Sequence, residues 1–355
     1  MATRLSPQDV LKALGAVRDP GQQRDIVSLG MVKDVEVGDN RVSLKLHAAN
    51  PSSPLAARLA QEAKKAIHAL GVVNVQVELG GAQASGASSQ PNLIPEVKNT
   101  IAVGSGKGGV GKSTVAVNLA VALERSGVKV GLLDTDVYGP SVPHLMGSMV
   151  GPAVAEGKIA PPEAYGIKIM SMAYFLPKEE AVIWRGPMLH KAIHQFLGDV
   201  KWGELDYLVI DMPPGTGDVQ LSLGQTIPLT GAVIVSTPQD IALEVASKAI
   251  AMFRKLNVPL LGVVENMSYY VCPHCGKRED IFGHGGARNA ADAMHLPFLG
   301  EIPLDVNIRT SSDHGQPAAL QNSTVYAAAF HEAARALVAQ VERARKEAGG
   351  EIHIE

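Results

Sequence analysis

The chain has 355 residues, enough for one large domain and a small one, and 46% of them are hydrophobic, which suits a protein that buries a substantial core. A net charge of −3 gives no general attraction to nucleic acid or anionic membranes, so neither is expected as a partner. No apolar run approaches the ~18 residues of a membrane span, the first residues lack the regions of a signal peptide, and two cysteines cannot build a disulfide framework. A soluble, cytoplasmic protein is expected.

A helical pattern over roughly Pro7–Val17 precedes an apolar segment around Ile26–Val32. Alternation from Val35 to Leu46 about Gly38-Asp39-Asn40 signals a hairpin. Pro54 opens a helix with Leu55, Leu59, Ala63, Ala66, Ile67 and Leu70 on its apolar face, and Gly71 stops it. Val73, Val75, Val77 and Leu79 then alternate as a third strand. These elements make residues 1–80 a small α+β domain. The next stretch is small, polar and without period, so 81–96 is expected to be a flexible linker.

From residue 97 to 347 short apolar runs alternate with helical ones. The runs are Ile101–Val103, Val128–Leu133, Tyr207–Ile210, Ala232–Val235, Leu260–Val264 and Phe298–Gly300. Runs of this kind are strands covered on both faces, which predicts a three-layer α/β fold around a mostly parallel sheet. A helix from about Val325 to Lys346 closes the domain and leaves 348–355 as a tail.

Gly106, Lys107, Gly108, Gly109, Val110, Gly111, Lys112 and Ser113 match the phosphate-loop pattern G-x-x-x-x-G-K-[ST], between an apolar strand and a helix from about Lys112 to Arg125. Glycine is needed because backbone N–H groups must approach phosphate oxygens without Cβ atoms intervening. Lys112 is expected to neutralise the β- and γ-phosphates of ATP, Ser113 to hold Mg²⁺, and Thr114 to complete the nucleotide contacts. Taken alone, the front lysine, Lys107, reads as a solvated charge.

Open parallel sheets bind ligands beyond the C-terminal ends of their strands, and two acidic clusters fall there. Asp211 ends an apolar strand and is placed to orient Mg²⁺; the Pro-Pro-Gly after Met212 suits a loop that responds to the γ-phosphate. In Asp134-Thr135-Asp136, Asp134 is expected nearer the metal and Asp136 to orient the attacking water, against the plainer alternative of helix capping. Asn266 and Pro303, each just beyond a strand, are the candidates for the edge and face of adenine.

The two cysteines, Cys272 and Cys275, stand together in Cys-Pro-His-Cys-Gly. A redox dithiol has this spacing but needs a thioredoxin-like setting. Structural zinc suits it if His274 or His284 completes the ligand set. A [4Fe–4S] cluster wants four thiolates, so two per chain place it on the two-fold axis of a homodimer.

Lys107–Ser113 resembles the deviant Walker A ATPases, in which the front lysine reaches across a dimer to the partner's nucleotide. Together with Asp134-Thr-Asp-Val-Tyr-Gly-Pro-Ser, Trp184-Arg-Gly-Pro-Met, Asp206–Asp218, Glu265-Asn-Met-Ser, Cys272–Gly276 and Ile302-Pro-Leu-Asp, it makes residues 101–317 similar to the Mrp/ApbC family of iron–sulfur cluster carrier ATPases. Residues 1–80, with Asp25-Ile-Val-Ser-Leu-Gly, resemble the MIP18-like (DUF59) domain fused to bacterial members. The resemblance implies a weak or coupled ATP hydrolase with Lys107, Lys112 and Asp136 catalytic. It also implies a homodimer with a [4Fe–4S] cluster bridged by Cys272 and Cys275, taken from cluster donors and passed to apo-proteins. Ser53 stands where the small domain often carries a cysteine, so that domain is read as a docking module. The alternatives are a partition-type spatial organiser, an ATP-driven electron donor like nitrogenase iron protein, and a zinc-stabilised ATPase of metallocentre assembly.

Overall fold

The computed structural model describes residues 5–18, 24–38, 41–48, 54–81, 93–155, 157–175 and 186–349. Ser53, Trp184 and Arg185, the turn residues Asp39 and Asn40, and most of the expected linker and tail lie outside the described residues. The chain divides into two compact units, residues 1–91 and 92–355.

In the first unit, helix α1 (Pro7–Leu14) begins at a capping box, where Ser6 Oγ accepts from Asp9 N–H and the Asp9 carboxylate accepts from Ser6 N–H. Strands β1 (Val32–Val37) and β2 (Arg41–Ala48) pair antiparallel; α2 (Pro54–His68) then crosses over to β3 (Asn74–Gly81), parallel to β2. Val10, Leu14, Ile26, Leu44, Leu46, Leu59 and Ile67 form the core between helices and sheet. The apolar segment that begins at Ile26 is a turn up to Gly30, because Asp25 Oδ1 accepts from the backbone N–H of Val27 and Ser28 and curls the chain.

The second unit runs β4 (Thr100–Gly104), α3 (Lys112–Arg125), β5 (Val130–Asp134), α4 (Val142–Leu145), β6 (Ala153–Ala155), β7 (Lys158–Ala160), β8 (Glu163–Ala164), β9 (Ile167–Ser171) and α5 (Gly186–Gly198). It continues through β10 (Tyr207–Asp211), α6 (Asp218–Thr226), β11 (Gly231–Ser236), α7 (Asp240–Lys255), β12 (Leu260–Glu265), β13 (Tyr270–Val271), β14 (Arg278–Glu279), α8 (Gly286–Ala293), β15 (Phe298–Glu301), α9 (Val306–Asp313) and α10 (Val325–Gly349). Eight strands form one sheet in the order β15-β12-β11-β4-β10-β5-β9-β8, parallel except for the short edge strand β8. Leu119, Leu132, Val209 and Phe330 fill the core under α3 and α10 on one face. Ile193, Ile210, Ile234 and Phe253 fill the other. This is the expected three-layer architecture.

The sequence reading omits β9, whose Ile167-Lys-Ile-Met-Ser run pairs with β5 at the flank of the site. The boundary drawn at residue 97 also moves. Ile94 is buried in the second core and Leu205 N–H donates to Glu96 C=O, so residues 93–96 belong to the large unit. At the other end α10 runs to Gly349, two residues into the expected tail.

Phe253 is fully buried, and a Cβ added to Gly104, the last residue of β4, would stand 3.0 Å from its ring. Phe253→Ala therefore leaves a cavity directly behind the strand that leads into the phosphate loop. It is expected to cost about 3–5 kcal/mol, measured as a lower urea midpoint of the large unit. A loss below about 1 kcal/mol would show that this core collapses around the gap.

Candidate functional site

The centre of the sheet sets the site. β10 lies between β4 and β5 with Asp211 level with Val103 on one side and Asp134 on the other. The loop after β4 carries the glycines and hands over to α3 at Lys112.

Gly109 (φ +82°) and Gly111 (φ +77°) are left-handed, a conformation that disfavours side chains. At Gly111 space forbids one as well, since a Cβ would collide with the amide of Asn266. That amide donates to Val110 C=O at 2.8 Å. Cβ atoms at Gly108 and Gly109 would meet nothing within 4 Å, so this stretch of backbone faces open space that a phosphate chain fits. Ser105 Oγ donates to Lys107 C=O (2.9 Å), and Gly215 N–H donates to Ser105 C=O (3.0 Å), tying the loop to the Pro-Pro-Gly segment after β10. Gly106 and the front lysine Lys107 are half-buried, and no described residue forms an ion pair with Lys107.

Lys112 is 6% exposed. Its Nζ lies 2.5 Å from Asp211 Oδ1, 3.2 Å from Ser113 Oγ and 3.8 Å from Asp136 Oδ2. Ser113 Oγ in turn donates to Asp211 Oδ2 at 2.5 Å. Burial raises the Asp211 carboxyl, and the Lys112 charge and the two hydrogen bonds oppose the rise. Hydroxyl, ammonium and carboxylate thus converge at the mouth of a glycine cradle, a donor set that fits Mg²⁺ and a polyphosphate.

Asp134 lies within the sheet layer. It is fully buried, with Oδ1 accepting from Asp136 N–H (3.1 Å) and Oδ2 from Ser171 Oγ (2.9 Å) and Val142 N–H (3.2 Å). Burial, reinforced by the neighbouring Asp211 charge, pushes its carboxyl up to about 7. Asp134 orients the chain toward Asp136, and Asp136 is the one that approaches the Lys112 ammonium. The cause is register: Asp134 ends a central strand inside the sheet layer, while Asp136 lies two residues beyond it. Asp136 Oδ1 accepts from Tyr138 and Gly139 N–H, which fixes the turn.

Asn266 and Pro303 come together at the ends of β12 and β15, where Ile302 N–H donates to Glu265 C=O and Ser268 N–H to Ile302 C=O. Both are buried, and the Asn266 Nδ2 expected at the base edge is engaged by the phosphate loop. Thr114 is half-buried in the first turn of α3, its carbonyl accepting from Asn118 Nδ2.

The cysteines sit on a separate hairpin. β13 pairs with β14, Cys272 N–H donates to Lys277 C=O (2.9 Å), and Gly276 (φ +69°) returns its N–H to Cys272 C=O (2.8 Å). Cys272 is half-buried and Cys275 exposed. The backbone N–H groups of Cys275 and His274, and then the Cys275 side chain, hydrogen-bond to Cys272 and hold its thiol below the usual range. A thiol so biased toward its thiolate suits a soft metal. Among the described residues no group of three or more His, Cys, Asp or Glu is arranged to hold a metal ion. His284 faces Arg278 Nη2 (3.1 Å) and Asp280 (3.6 Å), and His274 offers Cys272 its backbone N–H.

Three contributors escaped the sequence reading: Ser171, on the unlisted strand β9; Glu265, buried and accepting from Ser268 Oγ and Ala287 N–H at 2.6 Å each; and Arg278. The Gly166-Ile-Lys-Ile-Met-Ser run was the available signal for the first. For the other two the deciding partners, Ala287 N–H for Glu265 and the Glu301 carboxylate for Arg278, are set by tertiary contact.

Residues 96–338 match the family described as NUBPL iron-transfer P-loop NTPase. The chain belongs to this family. Residues 7–79 match a second family, iron-sulfur cluster assembly protein. An iron-sulfur cluster carrier protein of Deinococcus radiodurans is 52% identical over 336 residues, covering 94% of this chain and 95% of that protein. A nucleotide-binding protein from Archaeoglobus fulgidus, solved in complex with ADP, superposes with TM-score 0.58 at 44% identity, covering 64% of this chain and 90% of that one. The cell-division ATPase MinD of Pyrococcus furiosus gives TM-score 0.53 at 25% identity over 68% of this chain and 98% of its own. The large unit is thus a P-loop NTPase of the iron-transfer family, and the partition-type alternative shares its fold. No helix among the described residues is long and apolar enough to cross a membrane.

Gly111→Ala must both strain φ and displace Asn266. It is expected to weaken binding of a fluorescent ATP analogue at least about tenfold, and unchanged affinity would mean the loop accommodates a methyl group there. In metal-free protein carrying Cys275→Ser, the pH midpoint of iodoacetamide alkylation of Cys272 is expected to lie below that of a free cysteine peptide, since the backbone N–H groups favour the thiolate; a midpoint at or above the peptide's contradicts the N–H···S assignment.

Proposed function

We propose that this protein binds and hydrolyses ATP with Mg²⁺ and works as a homodimer. The dimer carries a [4Fe–4S] cluster between its Cys272 and Cys275 pairs and passes it from cluster donors to apo iron–sulfur proteins. The observation that carries the reading is the cysteine hairpin: two thiols on one turn, Cys272 half-buried with its pKa lowered by backbone N–H groups and Cys275 exposed, with no third ligand assembled among the described residues. Two such hairpins supply the four thiolates that a cluster needs.

At the nucleotide site, the backbone of Gly106–Gly111 receives the phosphates at the N-terminus of α3. Lys112 leaves its present partner Asp211 to neutralise the β- and γ-oxygens, and Ser113 with Asp211 would hold Mg²⁺. A magnesium ion there supplies charge neutralisation for phosphoryl transfer. Asp136, oriented through Asp134 and Ser171, accepts a hydrogen bond from the attacking water, and Lys107 reaches the partner's nucleotide. Asn266 and Pro303 line the base end. Because the cluster is held by only two residues per protomer, it is exposed and exchangeable, which suits carriage over storage. The small unit, matched to a cluster-assembly family, is read as a docking module for donors or acceptors.

Anaerobic reconstitution with iron and sulfide tests this reading. Wild type is expected to hold about four irons and four sulfides per dimer, and Cys275→Ala to lose them. Zinc that resists replacement, or iron retained by the variant, would overturn the carrier reading and leave an ATPase with a structural metal.

A further inference from the structure

The cysteine hairpin is joined to the nucleotide site by a continuous run of contacts, and one side chain stands at its far end. Arg278 faces Val271 in the hairpin register, one residue from Cys272. Its Nε donates to Asp280 (3.0 Å), its Nη2 lies 3.2 Å from Glu301 and 3.1 Å from His284 Nδ1, and its guanidinium carbon sits 4.0 Å above the ring of Tyr269. Glu301 closes β15, level with Glu265 on β12. The guanidinium therefore clamps the hairpin to the C-terminal edge of the sheet that carries the phosphate loop.

Toward the nucleotide the run is equally specific. Asn266 bonds the phosphate loop at Val110 C=O, and Tyr269 follows it by three residues. The segment between them is fastened on both sides: Asn266 N–H donates to Ser236 C=O, Ser268 N–H to Ile302 C=O, Ser268 Oγ to Glu265, and Leu304 N–H to Tyr269 C=O. Met267 within it is left-handed (φ +56°), a conformation that persists only where the surroundings impose it. A segment so fastened holds Asn266 and Tyr269 in fixed relation to each other.

We propose that Arg278 is a positioning residue that couples the phosphate loop to the cysteine pair. Nucleotide binding at the loop shifts the Val110–Asn266 contact, the segment ending at Tyr269 follows, and the guanidinium stacked on Tyr269 re-aims Cys272 and Cys275. The inference rests on the proposed ATP site and cluster-bearing cysteines, and supplies the physical link between them. Coupling of two sites requires a contiguous element that both bias. Arginine suits the task because its planar fork donates to carboxylates while its face stacks on an aromatic ring; lysine does not combine these.

The test uses full-length, metal-free protein and reads the iodoacetamide alkylation rates of Cys272 and Cys275, without nucleotide, with Mg-ADP and with a non-hydrolysable Mg-ATP analogue. In wild type the rates are expected to differ by about fivefold or more between the nucleotide-free and ATP-analogue states. In Arg278→Ala and in Arg278→Lys the ratio falls to near one while affinity for the analogue is unchanged. Glu301→Gln, which leaves Arg278 and Tyr269 in place, guards against a misfolded hairpin and is expected to reduce the ratio in a protein with wild-type thermal unfolding. A wild-type ratio of one, or variants that keep the wild-type ratio, overturn the coupling. Should wild type fail to assemble a cluster while the alkylation contrast holds, the carrier reading falls and the coupling stands. A cluster assembled without the contrast sinks the coupling alone.

Discussion

At the heart of the large unit a lysine ammonium and an aspartate carboxylate meet at 2.5 Å with almost no exposure to water. Charges so enclosed must be paired, because neither can recover its hydration. The surroundings serve that pairing: β10 delivers Asp211 level with Asp134 on β5, α3 begins at Lys112, and Ser113 fills the second carboxylate oxygen. The balance of charge is uneven, since Asp211, Asp136 and Asp134 cluster about a single lysine. Part of that excess is relieved by the raised pKa of Asp134. The rest is what makes the place hospitable to a divalent cation.

How much of this could be read in the sequence depends on how local each cause is. The phosphate loop and Asp211 were legible because their chemistry fixes residue types at fixed spacing, and the six apolar runs because strands buried on both faces admit little else. β9 was not, since Lys168 interrupts its apolar run and no helix pattern introduces it. That Asp136, two residues beyond the strand end, approaches Lys112 while Asp134 stays within the sheet layer follows from strand register, which composition does not encode. Asn266 and Val110 lie 156 residues apart, so their hydrogen bond, and with it the reason Gly111 tolerates no side chain, appears only when the chain is folded.

The chemistry is gathered at one edge. The loops following β4, β5, β10, β12 and β15 all emerge at the C-terminal ends of parallel strands, where helix N-termini also point. Phosphate loop, carboxylates, the Asn266 segment and the cysteine hairpin gather at this edge for that reason, although the sequence spreads them from Gly106 to Glu279. A parallel sheet converts distance along the chain into adjacency at its rim.

The hairpin itself is slight. Two strands of two residues each flank the turn that carries both thiols, with Cys272 half-buried and Cys275 exposed. Backbone hydrogen bonds in so short a ladder, open to solvent and with little apolar burial beneath them, open at a small fraction of the free energy that unfolds the sheet. The turn can therefore loosen, exchange its amide protons and close again many times within the lifetime of one folded molecule. Opening of this turn is thereby decoupled from the integrity of the large unit, because it is a part that the fold can spare.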